Sequence, residues 1–139
     1  MTFKADKPAV LFVCVKNGGK SQLAAGLMAQ AAGGRVTVAS GGTRPGTAIN
    51  AQSAESLAEK GIDISAEVPK AVTVEAQEAA DVVVLLGSEA LLEEVEGTRY
   101  ERWDTDEPSL RGIEGMERMR LVRDDIDDRV QRLLADLLP

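Results

Sequence analysis

The chain has 139 residues, a net charge of −7 and 44% hydrophobic residues, which predicts one globular domain over residues 1–139. The acidic balance argues against nucleic acids and anionic membranes as partners, although a small anion needs only a local positive site. No run is long or apolar enough to span a bilayer, and the polar start, MTFKADKP, does not resemble a signal peptide. We therefore expect a cytoplasmic protein.

The chain contains one cysteine, Cys14, and no histidine. One cysteine cannot form an internal disulfide and argues against a thiolate metal cluster. The absence of histidine removes Cys–His and Ser–His–Asp catalytic groups and the usual zinc sites. We expect no bound metal or cofactor, and a catalytic thiol here has to be activated without an imidazole.

Hydrophobic runs alternate with helical patterns along the chain. We predict strands at 9–13, 35–39, 81–86 and 100–103, and helices at 21–32, 50–60, 74–80, 89–96 and 113–138. Asn50 caps the second helix, and Gly33-Gly34 and Gly61 end the first and second. Near-continuous Val and Leu strands between helices indicate an α/β fold, with a small four-stranded parallel sheet covered on both faces in three α/β/α layers. The strand at 100–103 is predicted to lie at an edge.

The loop after Cys14 joins the first strand to the first helix, where folds of this kind bind ligands. Gly18 and Gly19 permit backbone conformations that other residues resist, and Asn17 tolerates the left-handed region. Such a loop can direct several N–H groups at one anion, and the helix start adds its own free N–H groups. The same groups favour a thiolate on Cys14, to which Ser21 can donate a hydrogen bond.

Two other interpretations of this stretch compete with an oxyanion site. A lone cysteine after a hydrophobic strand is more often a small buried core residue, and only the glycine loop favours a functional one. The run Gly18-Gly19-Lys20-Ser21 also ends like a nucleotide-binding P-loop. That motif requires a glycine where Cys14 stands, so we do not expect nucleotide hydrolysis.

Five segments together resemble the low-molecular-weight protein tyrosine phosphatase family, and particularly its arsenate reductase branch. FVCVKNGGKSQLAAGLM is similar to that branch's cysteine loop, with the spacing C-x5-[R/K]-S. The other four segments are SGGTRPG at 40–46, GIDIS at 61–65, VPKAVT at 68–73 and WDTDEP at 103–108. They occur in the family's order and cover about residues 8–130.

The resemblance implies that Cys14 is a nucleophile that attacks arsenate held in the loop. It implies that Asn17 shapes the loop and that Ser21 stabilises the thiolate. The oxyanion's oxygens would be held by the loop that runs Val15, Lys16, Asn17, Gly18, Gly19, Lys20, Ser21.

Lys20 departs from the family, which has arginine at this position. An arginine binds two oxygens at once, whereas a lysine supplies charge without that geometry. Lys16 either adds a second point charge or is a solvated surface lysine. The loss of bidentate support argues against ordinary tyrosine phosphatase activity.

The acidic loop WDTDEP also departs, because the family has Asp immediately before the proline. Glu107 occupies that position, Asp106 precedes it, and Asp104 lies two residues further back. A general acid has to protonate the leaving oxygen. Glu107 fits by position and Asp106 fits if the loop shifts by one residue. The alternative is that this cluster is a solvated loop.

The segment that follows DVVVLL, residues 87–97, lacks the two further cysteines of thioredoxin-linked arsenate reductases of this fold. The resemblance therefore implies the single-cysteine class, in which a low-molecular-weight thiol forms a thiol–arsenate adduct that a glutaredoxin-like protein reduces to arsenite. In actinobacteria these are mycothiol and mycoredoxin, and we expect an arsenate–mycothiol transferase. The rivals are a phosphatase acting on phosphotyrosine or small phosphoesters, and a non-catalytic oxyanion-binding module.

Overall fold

The computed structural model describes residues 2–139, and its elements alternate as the sequence predicts. The strands are β1 (Ala9–Cys14), β2 (Thr37–Gly42), β3 (Val82–Leu86) and β4 (Arg99–Trp103). The helices are α1 (Lys20–Ala32), α2 (Ala51–Ala58), α3 (Val74–Ala79), a short 3-10 helix (Pro108–Arg111) and α4 (Gly115–Leu137). Within residues 2–139, none of the helices combines the length and apolar character needed to cross a membrane.

The strands form one parallel sheet in the order β2-β1-β3-β4. This confirms the predicted four-stranded parallel sheet and places the 100–103 strand at an edge. The chain passes from β1 to β2 on one side and then returns past β1 to β3 on the other side, so the strand order reverses at β1. Cys14 is the last residue of β1, at the carboxyl ends of the strands where such sheets bind ligands.

Side chains of β1 alternate between two cores, one on each face of the sheet. Val10 and Phe12 belong to the larger core, which α1, α2 and α4 complete. Leu11 and Val13 belong to the smaller core on the face that α3 covers. The period-2 alternation of a strand places both sets, and both faces are apolar because helices cover both. The three-layer α/β/α prediction is confirmed.

The leucine-rich C-terminal stretch is part of this core. Leu133, Leu134 and Leu137 are buried in the larger cluster. Most charged residues of α4 are exposed or half-buried, as expected for an amphipathic helix that covers a sheet. Arg123 is the exception, since it is buried and donates to the Ser56 carbonyl and to Glu59 of the α2 end.

Most predicted boundaries hold, but β2 begins later and ends later than 35–39. Arg35 still belongs to the turn after α1, since its N–H donates to the Ala32 carbonyl at 3.1 Å. The strand then continues through Ser40 to Gly42 because it pairs with β1 up to Cys14. Pairing with a neighbouring strand overrides the weak strand propensity of the glycines.

The helix predicted at 89–96 is wrong, since no helix forms there. The backbone groups of this segment bind side chains of β4 instead. The Val95 N–H donates to the Tyr100 hydroxyl at 2.9 Å, and Arg102 donates to the Ala90 carbonyl at 2.9 Å. An isolated helix of this length is marginal without tertiary support, so these contacts decide the conformation.

Candidate functional site

Cys14 lies at the junction of β1 and the loop, and its side chain is 8% exposed. Its sulfur accepts a hydrogen bond from the Asn17 N–H at 3.3 Å and lies 3.0 Å from the Ser21 hydroxyl oxygen. Both partners are fully buried. N–H and O–H groups of this kind are the donors from which a thiolate sulfur accepts hydrogen bonds, so the arrangement can hold a thiolate without histidine.

The direction of the Ser21 hydrogen bond follows from the orientation of the Asn17 amide. The backbone N–H of Lys70 can only donate, and it lies 3.0 Å from the Asn17 Oδ1 atom, so that atom is the amide oxygen. The amide nitrogen is then the atom that donates to the Ser21 hydroxyl at 2.8 Å. Ser21 accepts from Asn17 and is left to donate its proton to Cys14.

The carbonyl groups of residues 14–18 all accept hydrogen bonds from outside the loop, mainly from a second loop at 43–50. The donors are Thr43 to Cys14 (3.1 Å), Arg44 to Val15 (2.8 Å), Gly46 to Lys16 (2.9 Å), Gln22 Nε2 to Asn17 (3.1 Å) and Asn50 to Gly18 (2.7 Å). Because these carbonyl groups all bind donors on one side of the loop backbone, the N–H groups of the loop are available on the opposite side. Within residues 2–139, the N–H groups of Lys16 and residues 18–21 donate to no protein acceptor. Such a set of free N–H groups is an anion-binding concavity.

Asn17, rather than a glycine of the loop, adopts the left-handed conformation, with φ of 54°. Gly18 serves a different purpose from the predicted one, because a Cβ there would lie 3.0 Å from the Ala48 carbonyl oxygen. A Cβ on Gly42 would lie 2.7 Å from the Val15 carbonyl oxygen. These two glycines therefore allow the second loop and the end of β2 to approach the first loop.

A cavity of about 570 Å³ lies beside the loop, with Gly18 and Gly19 in its wall. Lys16 is exposed and Lys20 is half-buried, and both line this cavity. The apolar part of the lining comes from α1 and α4, through Leu23, Met119 and Val122. The cavity therefore places two positive charges beside the free N–H groups and leaves space for more than a small oxyanion.

The carboxylates of the acidic loop are held by arginines. Glu107 accepts two hydrogen bonds of 2.7 Å from Arg118, and this guanidinium lowers the Glu107 pKa from 4.5 to about 2. Asp106 accepts from Arg111 at 2.8 and 3.0 Å, which also lowers the pKa of that carboxyl. Both carboxylates are therefore ionised at neutral pH in this conformation. A general acid must carry a proton, so the assignment of that role to Glu107 or Asp106 stays a prediction.

Asp104 is the exposed carboxylate of the same loop, and its own backbone carbonyl accepts a hydrogen bond of 2.7 Å from Arg129. The Asp106 N–H donates to Asp125 at 2.7 Å. Both tethers come from α4. The position of the acidic loop thus depends on the long C-terminal helix, rather than on the sheet.

Three contributors to the site were missed from the sequence. Gln22 is buried and donates to both oxygens of Asn17, at 3.1 and 3.2 Å. Lys70 orients the Asn17 amide through its backbone N–H. Arg118 lines the cavity. The VPKAVT segment, which contains Lys70, was the sequence signal that could have identified it. In the structure the Lys70 carbonyl accepts from the Gly42 N–H at 2.8 Å, so the segment extends the sheet beside the loop.

The chain belongs to the low molecular weight phosphotyrosine protein phosphatase family, whose profile matches residues 9–138. Two curated relatives are similar over nearly the whole chain. Arsenate reductase 1 of Staphylococcus haemolyticus is 31% identical over 138 residues, covering 96% of this chain and 99% of its own. The glutaredoxin arsenate reductase of Synechocystis is 28% identical over 131 residues, covering 92% and 97%.

Among solved structures, the thioredoxin-dependent arsenate reductase of Corynebacterium glutamicum superimposes with a TM-score of 0.81 at 31% identity. The match covers 96% of this chain but 63% of that protein. The solved structure therefore shares the fold of this chain. One of these proteins is named for glutaredoxin and another for thioredoxin.

Proposed function

We propose that this chain reduces arsenate, with the Cys14 thiolate as nucleophile. The observation that carries the proposal is the buried sulfur, which receives hydrogen bonds from Asn17 and Ser21 at the base of a loop of free N–H groups. Family membership and the named activities of the relatives support the same chemistry.

In the first step the Cys14 sulfur attacks arsenic(V), an S–As bond forms and one As–O bond breaks. The free N–H groups hold the remaining oxygens, while Lys16 and Lys20 offset the negative charge. The departing oxygen leaves as water once it is protonated. We assign that proton to a carboxyl of the loop 104–107, with Glu107 favoured by its position before Pro108 and Asp106 as the alternative. Either has to leave its arginine partner in order to carry a proton.

In the second step a low-molecular-weight thiol, which we propose is mycothiol, displaces Cys14 from arsenic. Arsenic stays in the +5 state, and the product is a thiol–arsenate adduct. The thiolate of a glutaredoxin-like protein, such as a mycoredoxin, then attacks the sulfur of the adduct. The S–As electron pair passes to arsenic, which releases arsenite and leaves a mixed disulfide. The 139 residues contain no second cysteine for an internal route. We place the reaction in the cytoplasm, where such thiols stay reduced.

The test is arsenite production from arsenate with a matched set of donors. Mycothiol plus a mycoredoxin is expected to support turnover, and glutathione plus a glutaredoxin serves as the alternative thiol. Equal turnover with thioredoxin alone would refute the external-thiol route. Cys14→Ser is expected to lower the rate of arsenite formation to the uncatalysed level while the fold stays intact. Retained turnover in that variant would remove Cys14 from the mechanism.

The source of the proton is tested by Glu107→Gln, Asp106→Asn and Asp104→Asn. The general acid is the residue whose amide variant loses kcat while phosphate still binds. If all three variants keep the parent kcat, the acidic loop is not the proton source, and the loop is the solvated cluster that the sequence left open.

A phosphatase is the second candidate, because the family and the same anion loop also suit a phosphoryl group. Its test is hydrolysis of an aryl phosphate by the parent and by Cys14→Ser. Rates far above the Cys14→Ser control, without arsenite formation with any donor, would favour it. Oxyanion binding without either turnover would indicate a binding module.

A further inference from the structure

Arg118 of α4 lines the cavity beside the loop, together with Lys16 and Lys20. Three cationic side chains thus border one cavity whose wall includes the backbone of Gly18 and Gly19. The chain as a whole carries a net charge of −7. A local concentration of positive charge in an acidic protein attracts and holds anions at that place.

The Arg118 guanidinium keeps free donors after it has bound Glu107. A guanidinium has five N–H groups, of which Nε and Nη2 each donate one to Glu107, and no acceptor within residues 2–139 takes the others. Arg118 lines the cavity, whereas Glu107 is not among the described residues that do. Glu107 therefore occupies the Nε–Nη2 edge of the guanidinium, and the two Nη1 N–H groups and the second Nη2 N–H group stay available to a ligand.

We propose that Arg118 is an oxyanion-binding residue, which supplies from α4 the forked donor that Lys20 cannot supply from the loop. This inference rests on the proposed oxyanion-binding function of the loop. Lys16 and Lys20 provide charge but no fixed pair of N–H groups, whereas Arg118 can bind two oxygens at once.

The experiment measures how inorganic phosphate protects Cys14 from alkylation by iodoacetamide. The chain has one cysteine, so a single mass increment reports the reaction of Cys14 alone. Arg118→Gln is expected to raise the phosphate concentration for half-protection by about tenfold, as loss of a charge-assisted hydrogen bond predicts. Arg118→Lys keeps the charge without the fork and is expected to lie between the parent and Arg118→Gln. Urea unfolding of each variant shows that the fold is retained.

Two matched controls separate binding from loop support. Glu107→Gln breaks the same ion pair but leaves Arg118 in the cavity wall, so phosphate should protect Cys14 almost as in the parent. Arg111→Gln removes the other arginine of the acidic loop, which does not line the cavity, and should also leave protection unchanged. If Glu107→Gln weakens protection as much as Arg118→Gln does, Arg118 only holds the acidic loop and the proposal is wrong.

Lys20→Arg gives an independent check, because it restores a fork within the loop. In the Lys20→Arg background, Arg118→Gln should raise the phosphate concentration for half-protection by less than about threefold. The proposal would be overturned if Arg118→Gln raised the phosphate concentration for half-protection about tenfold in both backgrounds. It would also be overturned if phosphate did not protect Cys14 of the parent from alkylation. These measurements need no thiol donor. If arsenite never forms while Arg118→Gln still weakens protection, the reductase function fails and the role of Arg118 stands.

Discussion

Two loops border the candidate site, and they are held by different kinds of interaction. The anion loop at 14–21 is fixed by backbone hydrogen bonds and by the fully buried amide of Asn17. The acidic loop at 104–111 is held to α4 by the Glu107–Arg118 ion pair and by two backbone hydrogen bonds, to Asp125 and from Arg129, while Asp106 pairs with Arg111 inside the loop. The arginines of its two ion pairs, Arg111 and Arg118, are 52% and 25% exposed. Buried polar networks are costly to break, whereas exposed ion pairs contribute little and are screened by salt. The first loop is therefore preformed, and the second can be rearranged at small cost.

This difference suits the division of labour in the proposed reaction. A preformed set of N–H groups stabilises developing charge without reorganisation. A carboxyl that has to exchange an arginine partner for a proton needs a loop that can move. Arg118 belongs to both regions, since it lines the cavity and binds Glu107.

The largest effect is expected from Asn17→Ala, which removes the centre of the buried network. The Lys70 N–H, the Gln22 amide and the Ser21 hydroxyl each lose a partner, which we expect to lower the free energy of unfolding by about 3 kcal/mol. Urea unfolding measures the loss. Asn50→Ala, at the chain's other asparagine, removes only the cap of α2 and should cost about 1 kcal/mol. Equal losses would mean that the network does not fix the loop.

Gly42→Ala should have the next largest effect, because the added methyl meets backbone on several sides. The new Cβ would lie 2.7 Å from the Val15 carbonyl oxygen and 3.2 Å from the Asn17 nitrogen. We expect a loss of about 2 kcal/mol in unfolding free energy, as for overpacking elsewhere, and slower alkylation of Cys14. Gly46→Ala is the matched control, since its Cβ would meet only ordinary contacts, at 3.7 and 3.8 Å. A Gly42→Ala protein as stable as Gly46→Ala would contradict the close approach.

Glu107→Gln should cost about 1 kcal/mol at neutral pH, as a well-aligned but partly exposed ion pair does. Because Arg118 lowers the folded-state pKa of Glu107 to about 2 from 4.5, this contribution is complete above pH 4.5. It is lost as the pH falls through about 2. The measurement is urea unfolding of parent and variant over that range. A stability difference that stays constant down to the lowest pH would show that the Glu107 carboxylate is not the group responsible.

Arg111→Gln is expected to have the smallest effect on stability, below that of Glu107→Gln, because its ion pair with Asp106 is the most exposed of those on the acidic loop. Added salt should reduce the effect further, whereas it should leave the Asn17→Ala loss almost unchanged. Urea unfolding at low and high salt checks both statements. An Arg111→Gln loss as large as that of Asn17→Ala would remove the contrast between the two loops.

Local sequence patterns were sufficient for most of the fold. Apolar strands between amphipathic helices indicated the parallel three-layer sheet, and Asn50 was identified as a cap that indeed accepts from the Ser53 N–H. The failures, at 89–96 and at the end of β2, are places where partners from another strand decide the conformation.

The candidate site divides in the same way. The sequence by itself determined that Cys14 ends a strand before a glycine loop, and that Lys20 stands where the family has arginine. Only the tertiary structure decided which way the Asn17 amide points, because its partner Lys70 lies 53 residues away. It also decided that Arg118 of α4 shares a cavity with Lys20. Propensities and caps act over a few neighbouring residues, whereas the packing of sheet and helices brings groups that are distant in the chain to one site.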